Sequence, residues 1–404
     1  MLLAGCTSPR EWPAGAALVA NITDASWSWG TAEGLEPFVE AKALDPTCAG
    51  CIAFQGRVRT ADDGADEVVL TWSEHDGGED DLRSRVGGVD RQTGELRWTM
   101  DALDLTGVSG ACDPEPTDPC EPAYPSGAER DVCQMKMVHD VAVVEETDEG
   151  LRMWLADASN GRVLEVWLPE GETCGEVRTV LDQSAPDWDV YNSPNRVHGF
   201  EDAGGEHLWV SAKGGLPSTE AGLAQGADLS SGKLLGWTKR SEGWRQDWEF
   251  PPESTTAPSF LNTPHGLAPP GAPANMLVYA HTLSDSWDWG EGTGGSIGVA
   301  TLAEGVPTYA YDAQLDSRYL HFPRAVSPLG DGTWLVLDSG CFDSAGCEFP
   351  SQAWRVSLPE ITSSGLSGAW DRDGSTISWA EATVIDGPLW TTDDTLYAVD
   401  WVPG

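Results

Sequence analysis

The chain of 404 residues carries 65 acidic against 23 basic side chains, a formal net charge of −42, with 40 % hydrophobic residues and 20 tryptophans. That length and apolar content suffice for one large all-β domain or two ordinary ones. The charge repels a phosphate backbone and anionic headgroups, so nucleic acid and acidic lipid are excluded as partners, and the acidity reads as a solvated surface.

In chain order the first feature is MLLAGCTSPREWPAG. Leu-Ala-Gly-Cys ending at Cys6 resembles the lipobox of bacterial lipoproteins, which implies cleavage before Cys6, lipidation of that cysteine and export. Thr7, where inner-membrane retention would use aspartate, implies the outer membrane or the cell surface. Before Cys6 there is no basic n-region and only a short apolar stub. Residues 1–12 are read as lipobox and tether, and 13–404 as one domain.

Eight cysteines remain after Cys6, with Cys48 near Cys51, Cys112 near Cys120, Cys341 near Cys347, and Cys133 and Cys174 left over. An even number in an exported chain implies structural disulfides, whose connectivity the spacing leaves open. A zinc ribbon would need a second pair at suitable spacing, and haem attachment a histidine where Ile52 follows Cys51.

From residue 50 onward short β-type runs alternate with Gly, Asp, Ser and Pro turns. CIAFQGRVR, EVVLTWS, RVGGVD and GELRW fill 50–100; LRMWLAD, RVLEVWL, EHLWVSA, NMLVYAH, TWLVLDS and TLYAVDW follow. Between them, residues 101–130 are rich in Pro, Asp and Gly and read as a loop insertion. The runs repeat. KMVHDVAVV at 136, NRVHGFEDA at 195, NTPHGLAPP at 262 and HFPRAVSPL at 321 align on His139, His198, His265 and Arg324, spaced by 198 − 139 = 59, 265 − 198 = 67 and 324 − 265 = 59 residues. Four strands per period of that length predict a six-bladed β-propeller. Its closing blade would combine three runs of 376–404 with one N-terminal strand from GAALVANIT.

Equivalent blades place His139, His198, His265 and Arg324 in an arc at one mouth of the central channel. Three imidazoles and a guanidinium suit an anionic substrate or a metal with open positions. Lys136, Asn195, Asn262 and His321, each three residues earlier, form a second polar column. The competing account is loop punctuation: repeated blades repeat residues by descent, and Asn and His are ordinary turn residues.

LADASNGRVLEVWLPEG at 155–171 resembles the NHL-type propeller repeat, and HDVAVV opening a blade, with later blades opening on His and Arg, resembles the bacterial arylsulfotransferase propellers. The second resemblance implies transfer of a sulfuryl group from an aryl sulfate to a phenol through a histidine, without a metal. It implies Arg324 as oxyanion clamp, His139 and His198 as sulfate donors or acid–base groups and His265 as nucleophile, although Arg324 follows the last of these histidines, the reverse of the enzymes' order. A similarity to the peptidyl-hydroxyglycine lyase propeller implies instead zinc on His139, His198 and His265, Arg324 on a substrate carboxylate, and Tyr191 or Tyr319 as base. A third reading is a non-catalytic surface propeller that binds protein or glycan. In each the chain is expected to act as a monomer, its partner a small anionic substrate or surface ligand.

Weaker signals resolve locally. DRDGS at 371 and DASNG at 157 lack the bidentate acid of a calcium loop and read as tight turns. The paired DASWSWG at 24 and SDSWDWG at 284 can stack a sugar or pack between blades. No phosphate loop, nucleophile elbow or dinucleotide fingerprint occurs. Thiol titration of the denatured, unreduced protein should find at most one free thiol besides Cys6; eight would remove the case for an exported, disulfide-bonded chain.

Overall fold

The computed structural model describes residues 15–48, 50–61, 64, 66–75, 82–105, 135, 137–158, 161–182, 193–202, 204–213, 233–250, 276–282, 295–303, 306–315, 320–321, 323–340, 350–359, 369–372 and 375–403. Among them the regular elements are strands, apart from the four-residue helix α1 (Ala41–Leu44). The all-β reading holds because the runs are short, rich in Val, Trp and Thr, and punctuated by turns such as Asp90-Arg91-Gln92-Thr93, whose Asp90 side chain accepts from two following N–H groups.

Strands β1 (Gly15–Asn21), β2 (Ser26–Thr31) and β3 (Gly34–Glu40) form a meander. So do β4 (Cys51–Thr60), β5 (Asp66–His75), β6 (Leu82–Asp90) and β7 (Leu96–Met100). After the short β8 (Ala102–Asp104) come β9 (Val138–Thr147), β10 (Gly150–Asp157), β11 (Arg162–Pro169) and β12 (Cys174–Asp182), with β8 added parallel to β12 at the outer edge. The next sheet is β13 (Ser193–Asp202), β14 (Gly205–Lys213), β15 (Lys233–Arg240) and β16 (Gly243–Phe250).

An eight-stranded sheet follows, built from β17 (Met276–Thr282), β18 (Gly295–Ala303), β19 (Val306–Leu315), β20 (Pro323–Pro328), β21 (Trp334–Asp338), β22 (Ser351–Ser357), β23 (Ala369–Arg372) and β24 (Ser375–Thr392). The 18-residue β24 joins its two halves: its first part runs parallel to β19 and its second antiparallel to β22. The last strand, β25 (Leu396–Pro403), returns to pair with β1.

First strands pack on first strands, β25 against β4 and β20, β4 against β9 and β9 against β13, while the second strands β1, β5 and β10 lean on the next sheet's first strand. This is a propeller arrangement, in which each meander buries both faces against its neighbours around an axis. The expected closure is corrected in one respect: the closing sheet takes one strand from the C-terminus and three from the N-terminus. The run at 375–392 is a single strand long enough to serve the eight-stranded sheet, so it is not available for closure.

Residues 102–104 of the expected 101–130 insertion are strand β8, and 106–134 lie outside the described residues. Cys48 and Cys51 are disulfide-bonded. Cys174 is disulfide-bonded too, with a partner outside the described residues, where Cys6, Cys112, Cys120, Cys133, Cys341 and Cys347 also lie.

Tryptophans mortar the sheets. Trp27 of DASWSWG is fully buried, meets Trp72 edge-on at 6.4 Å and donates its indole N–H to Gln55 O at 3.1 Å, so this residue packs between sheets and does not present a sugar platform. In the NHL-like stretch, buried Asp157 and Arg162 pair at 2.7 Å across the turn that links β10 to β11. Trp248 lies over its cross-strand partner Gly236, and Trp98 over Gly88, where a Cβ would collide with the indole. Gly236→Ala should therefore lower stability by about 1–3 kcal/mol, the cost of overpacking a filled site, read as a fall in denaturation midpoint.

Candidate functional site

Five first strands share one irregularity close to their start. The ladder skips a residue in each: Tyr397 in β25, Phe54 in β4, His139 in β9, Asn195 in β13 and Arg324 in β20. A bulge of this kind leaves one residue unpaired and re-aims its side chain out of the strict in–out alternation. Here the re-aimed side chains converge on the axis, because first strands face one another across it.

His139 is the centre of the group. Its Nδ1 is hydrogen-bonded to Asn195 Oδ1 and lies 2.9 Å from the Tyr397 hydroxyl, which in turn donates to Asn195 Oδ1 at 3.3 Å. The imidazole stacks on Phe54 at 4.8 Å, and the Arg324 guanidinium sits over the Tyr397 ring at 4.8 Å. His139, Asn195, Arg324, Tyr397 and Phe54 are all buried. A carboxamide oxygen only accepts, so the hydrogen bond to Asn195 Oδ1 calls for a proton on Nδ1 of His139. Burial pushes the Tyr397 hydroxyl up to about 12, with Arg324 and Arg196 pulling the other way, and it stays a donor at neutral pH. Burial also draws Arg324 down to about 10, short of losing its charge.

Behind this layer lies a charge network. Asp140, fully buried, accepts from both Nε and Nη2 of Arg57 and from the backbone N–H groups of Val141 and Val197, each at 2.9 Å. Arg57 also donates to Val197 O at 2.6 Å. Burial disfavours the Arg57 charge, but Asp140 outweighs it and holds the guanidinium above its ordinary value. Arg196 is buried and donates to Val399 O at 3.4 Å; burial lowers it, opposed by Asp140. Asp400 is raised by burial, opposed by Arg57 and Arg196.

The sequence-derived candidates fare unequally. His139 and Arg324 occupy equivalent bulges. His198 does not: the residue of β13 equivalent to them is Asn195, three positions earlier, which touches His139 directly. His198 is partly buried further along β13 and stacks on Phe200 at 5.5 Å. His321 precedes β20, its backbone N–H donating to Asp338 at 2.8 Å. His265, Asn262, Lys136, Tyr191 and Tyr319 lie outside the described residues.

Phe54, Tyr397, Arg57 and Arg196 escaped the sequence reading. The signal was the place of Phe54 and Tyr397 in IAFQGRV and TLYAVDW, early in a strand run like His139 in MVHDVAV, and aligning on histidine alone hid it. Among the described residues no group of three or more His, Cys, Asp or Glu side chains is arranged to hold a metal ion.

No protein-family model and no curated protein matches the chain. Among solved structures it is similar to a putative 6-phosphogluconolactonase from Bacteroides uniformis, with 13 % identity, a TM-score of 0.44, 96 % of this chain and 100 % of that one covered. It is similar as well to a hypothetical selenium-binding protein from Sulfolobus tokodaii, with 9 % identity, TM-score 0.48 and coverage of 98 % and 95 %. A periplasmic gluconolactonase from Pseudomonas aeruginosa matches with 12 % identity, TM-score 0.39 and coverage of 95 % and 99 %. At such identities none of these activities carries over to the chain.

Burial, reinforced by Arg57 and Arg196, lowers His198 from 6.5 to about 3. A histidine whose folded value lies below its free value binds protons more tightly when unfolded, so its contribution to stability is intact above about pH 6.5 and is lost as pH falls towards about 3. His198→Gln should flatten the decline of melting temperature between those limits; a decline as steep as in the unaltered protein would show that the ring is not buried neutral.

Proposed function

We propose that this chain is an exported, lipid-anchored, six-bladed propeller whose axial site transfers an anionic group between small substrates, in the manner of an arylsulfotransferase. Six blades follow if the eight-stranded sheet counts as two units sharing β24. Export through Cys6 accords with the disulfide state of Cys48, Cys51 and Cys174.

The observation that carries the chemistry is the seating of His139: an imidazole held through Nδ1 by Asn195 and by Tyr397, whose ring lies under the Arg324 guanidinium, inside a chain of net charge −42. In this reading the Nε2 lone pair attacks the sulfur of an aryl sulfate while the sulfur–oxygen bond to the ring breaks, the phenolate leaves and takes a proton from water, and the sulfuryl group rests on Nε2. The acceptor phenol's oxygen then attacks sulfur as the Nε2–sulfur bond breaks, its proton passing to the hydroxide left by the first step, and the imidazole is restored. Arg324 takes up the charge on the sulfuryl oxygens.

His139 takes the nucleophile's role in this reading because its seating is described, whereas His265 lies outside the described residues. The place of Asn195, and not His198, beside His139 supports the metal-free reading over three-histidine zinc.

Incubation with an aryl sulfate and a phenol should release the donor phenol; His139→Ala should abolish release and Arg324→Ala should slow it on the order of a hundredfold. If no aryl sulfate or phosphate ester is turned over, the chain is a binding propeller and the transfer reading fails.

A further inference from the structure

We infer that Asn195 and Arg196 form a receptor for one singly charged oxyanion at the axis, a sulfate monoester or a carboxylate. The inference deepens the reading of the axial site by naming residues and charge for its ligand, and it does not depend on turnover.

Three observations converge. Asn195 is 2 % exposed, and its Oδ1 serves His139 and Tyr397, yet its Nδ2 is buried with no hydrogen-bond partner among the described residues. An amide donor left so is costly, and a native site keeps one where something else supplies the acceptor. Arg196, next in sequence and 7 % exposed, has no carboxylate within 4.0 Å among the described residues, and its hydrogen bond to Val399 O is long at 3.4 Å. A guanidinium removed from water without a bonded counter-charge is costlier still.

The third observation is why Arg196 is not satisfied by its neighbour. Asp140 is close enough to act on it electrostatically, but that carboxylate already accepts from Arg57 twice and from Val141 and Val197, which fills its lone pairs. The bulge at Asn195 suspends the alternation of β13, so two consecutive residues both reach β25, Asn195 to Tyr397 and Arg196 to Val399. An amide N–H and a guanidinium on adjacent residues match the edge of an oxyanion.

Charge sets the valence. Arg57 is balanced by Asp140 and Arg324 is seated over the Tyr397 ring, while Arg196 has no bonded carboxylate among the described residues and lies within electrostatic reach of Asp140 and Asp400. A second negative charge on the ligand would face Asp140 and Asp400. A monoanion is therefore preferred to a dianion.

The test uses the full chain and titration calorimetry with methyl sulfate, acetate and inorganic sulfate. Methyl sulfate or acetate should bind at least tenfold more tightly than sulfate, and whichever of the two binds more tightly identifies the source of the oxyanion. Arg196→Gln should weaken that binding at least tenfold. Asn195→Asp should do the same while keeping acceptors for His139 and Tyr397, so it separates lost binding from lost folding. Arg196→Lys, which keeps the charge, should retain part of the affinity. Equal affinity in the unaltered protein and in Asn195→Asp, or no binding of either monoanion, overturns the proposal. Monoanion binding without turnover would leave this receptor standing and remove the transfer reading; turnover with affinity indifferent to both substitutions would do the opposite.

Discussion

One buried carboxylate organises the centre of the molecule. Asp140 belongs to β9, receives Arg57 from β4, and receives the Val197 N–H from β13, so the first strands of three sheets are tied at one point. A carboxylate with no exposed surface is tolerable only if every acceptor site is used, and this one has four donors. Slipping any of the three strands by one residue would strand the charge. The register of the ring is thus held by polar satisfaction as well as by apolar packing.

With that register in place, the bulges fall at the same level. Phe54 in β4, His139 in β9 and Asn195 in β13 come from the strands that Asp140 ties together, and they meet Tyr397 from β25. Closure and site are consequently one event: β25 seals the ring by pairing with β1 and in the same stretch delivers Tyr397 and Asp400 to the axis. A chain whose ends had not met would have His139 without one of its two partners at Nδ1.

The electrostatics invert from outside to inside. The whole chain is strongly acidic, yet its axis gathers Arg57, Arg196 and Arg324. An acidic exterior repels anions at long range, while guanidinium groups held at the axis are what the proposed anion would meet, since charge interactions strengthen as water is excluded. Burial works on the groups in and around the axis: His198, further along β13, is kept neutral, Tyr397 keeps its proton, and Asp140 offsets the penalty on Arg57.

Composition and pattern by themselves determined that this is an all-β chain with repeated meanders, because strand length, Val and Trp content and turn residues are local properties. They also singled out His139 and Arg324, which carry chemistry by type, and the close pair Cys48 and Cys51. They misjudged the closing sheet, since nothing local reveals that 375–392 is one strand shared within a larger sheet. They aligned His198 where Asn195 belongs, because the repeats were matched on histidine and a bulge leaves no mark in composition that would have shown the true equivalence. Phe54, Tyr397, Arg57 and Arg196 are ordinary residues in ordinary strands until the ring closes. Only the tertiary structure sets them around one axis, because a site built from one residue per strand has no sequence spacing of its own.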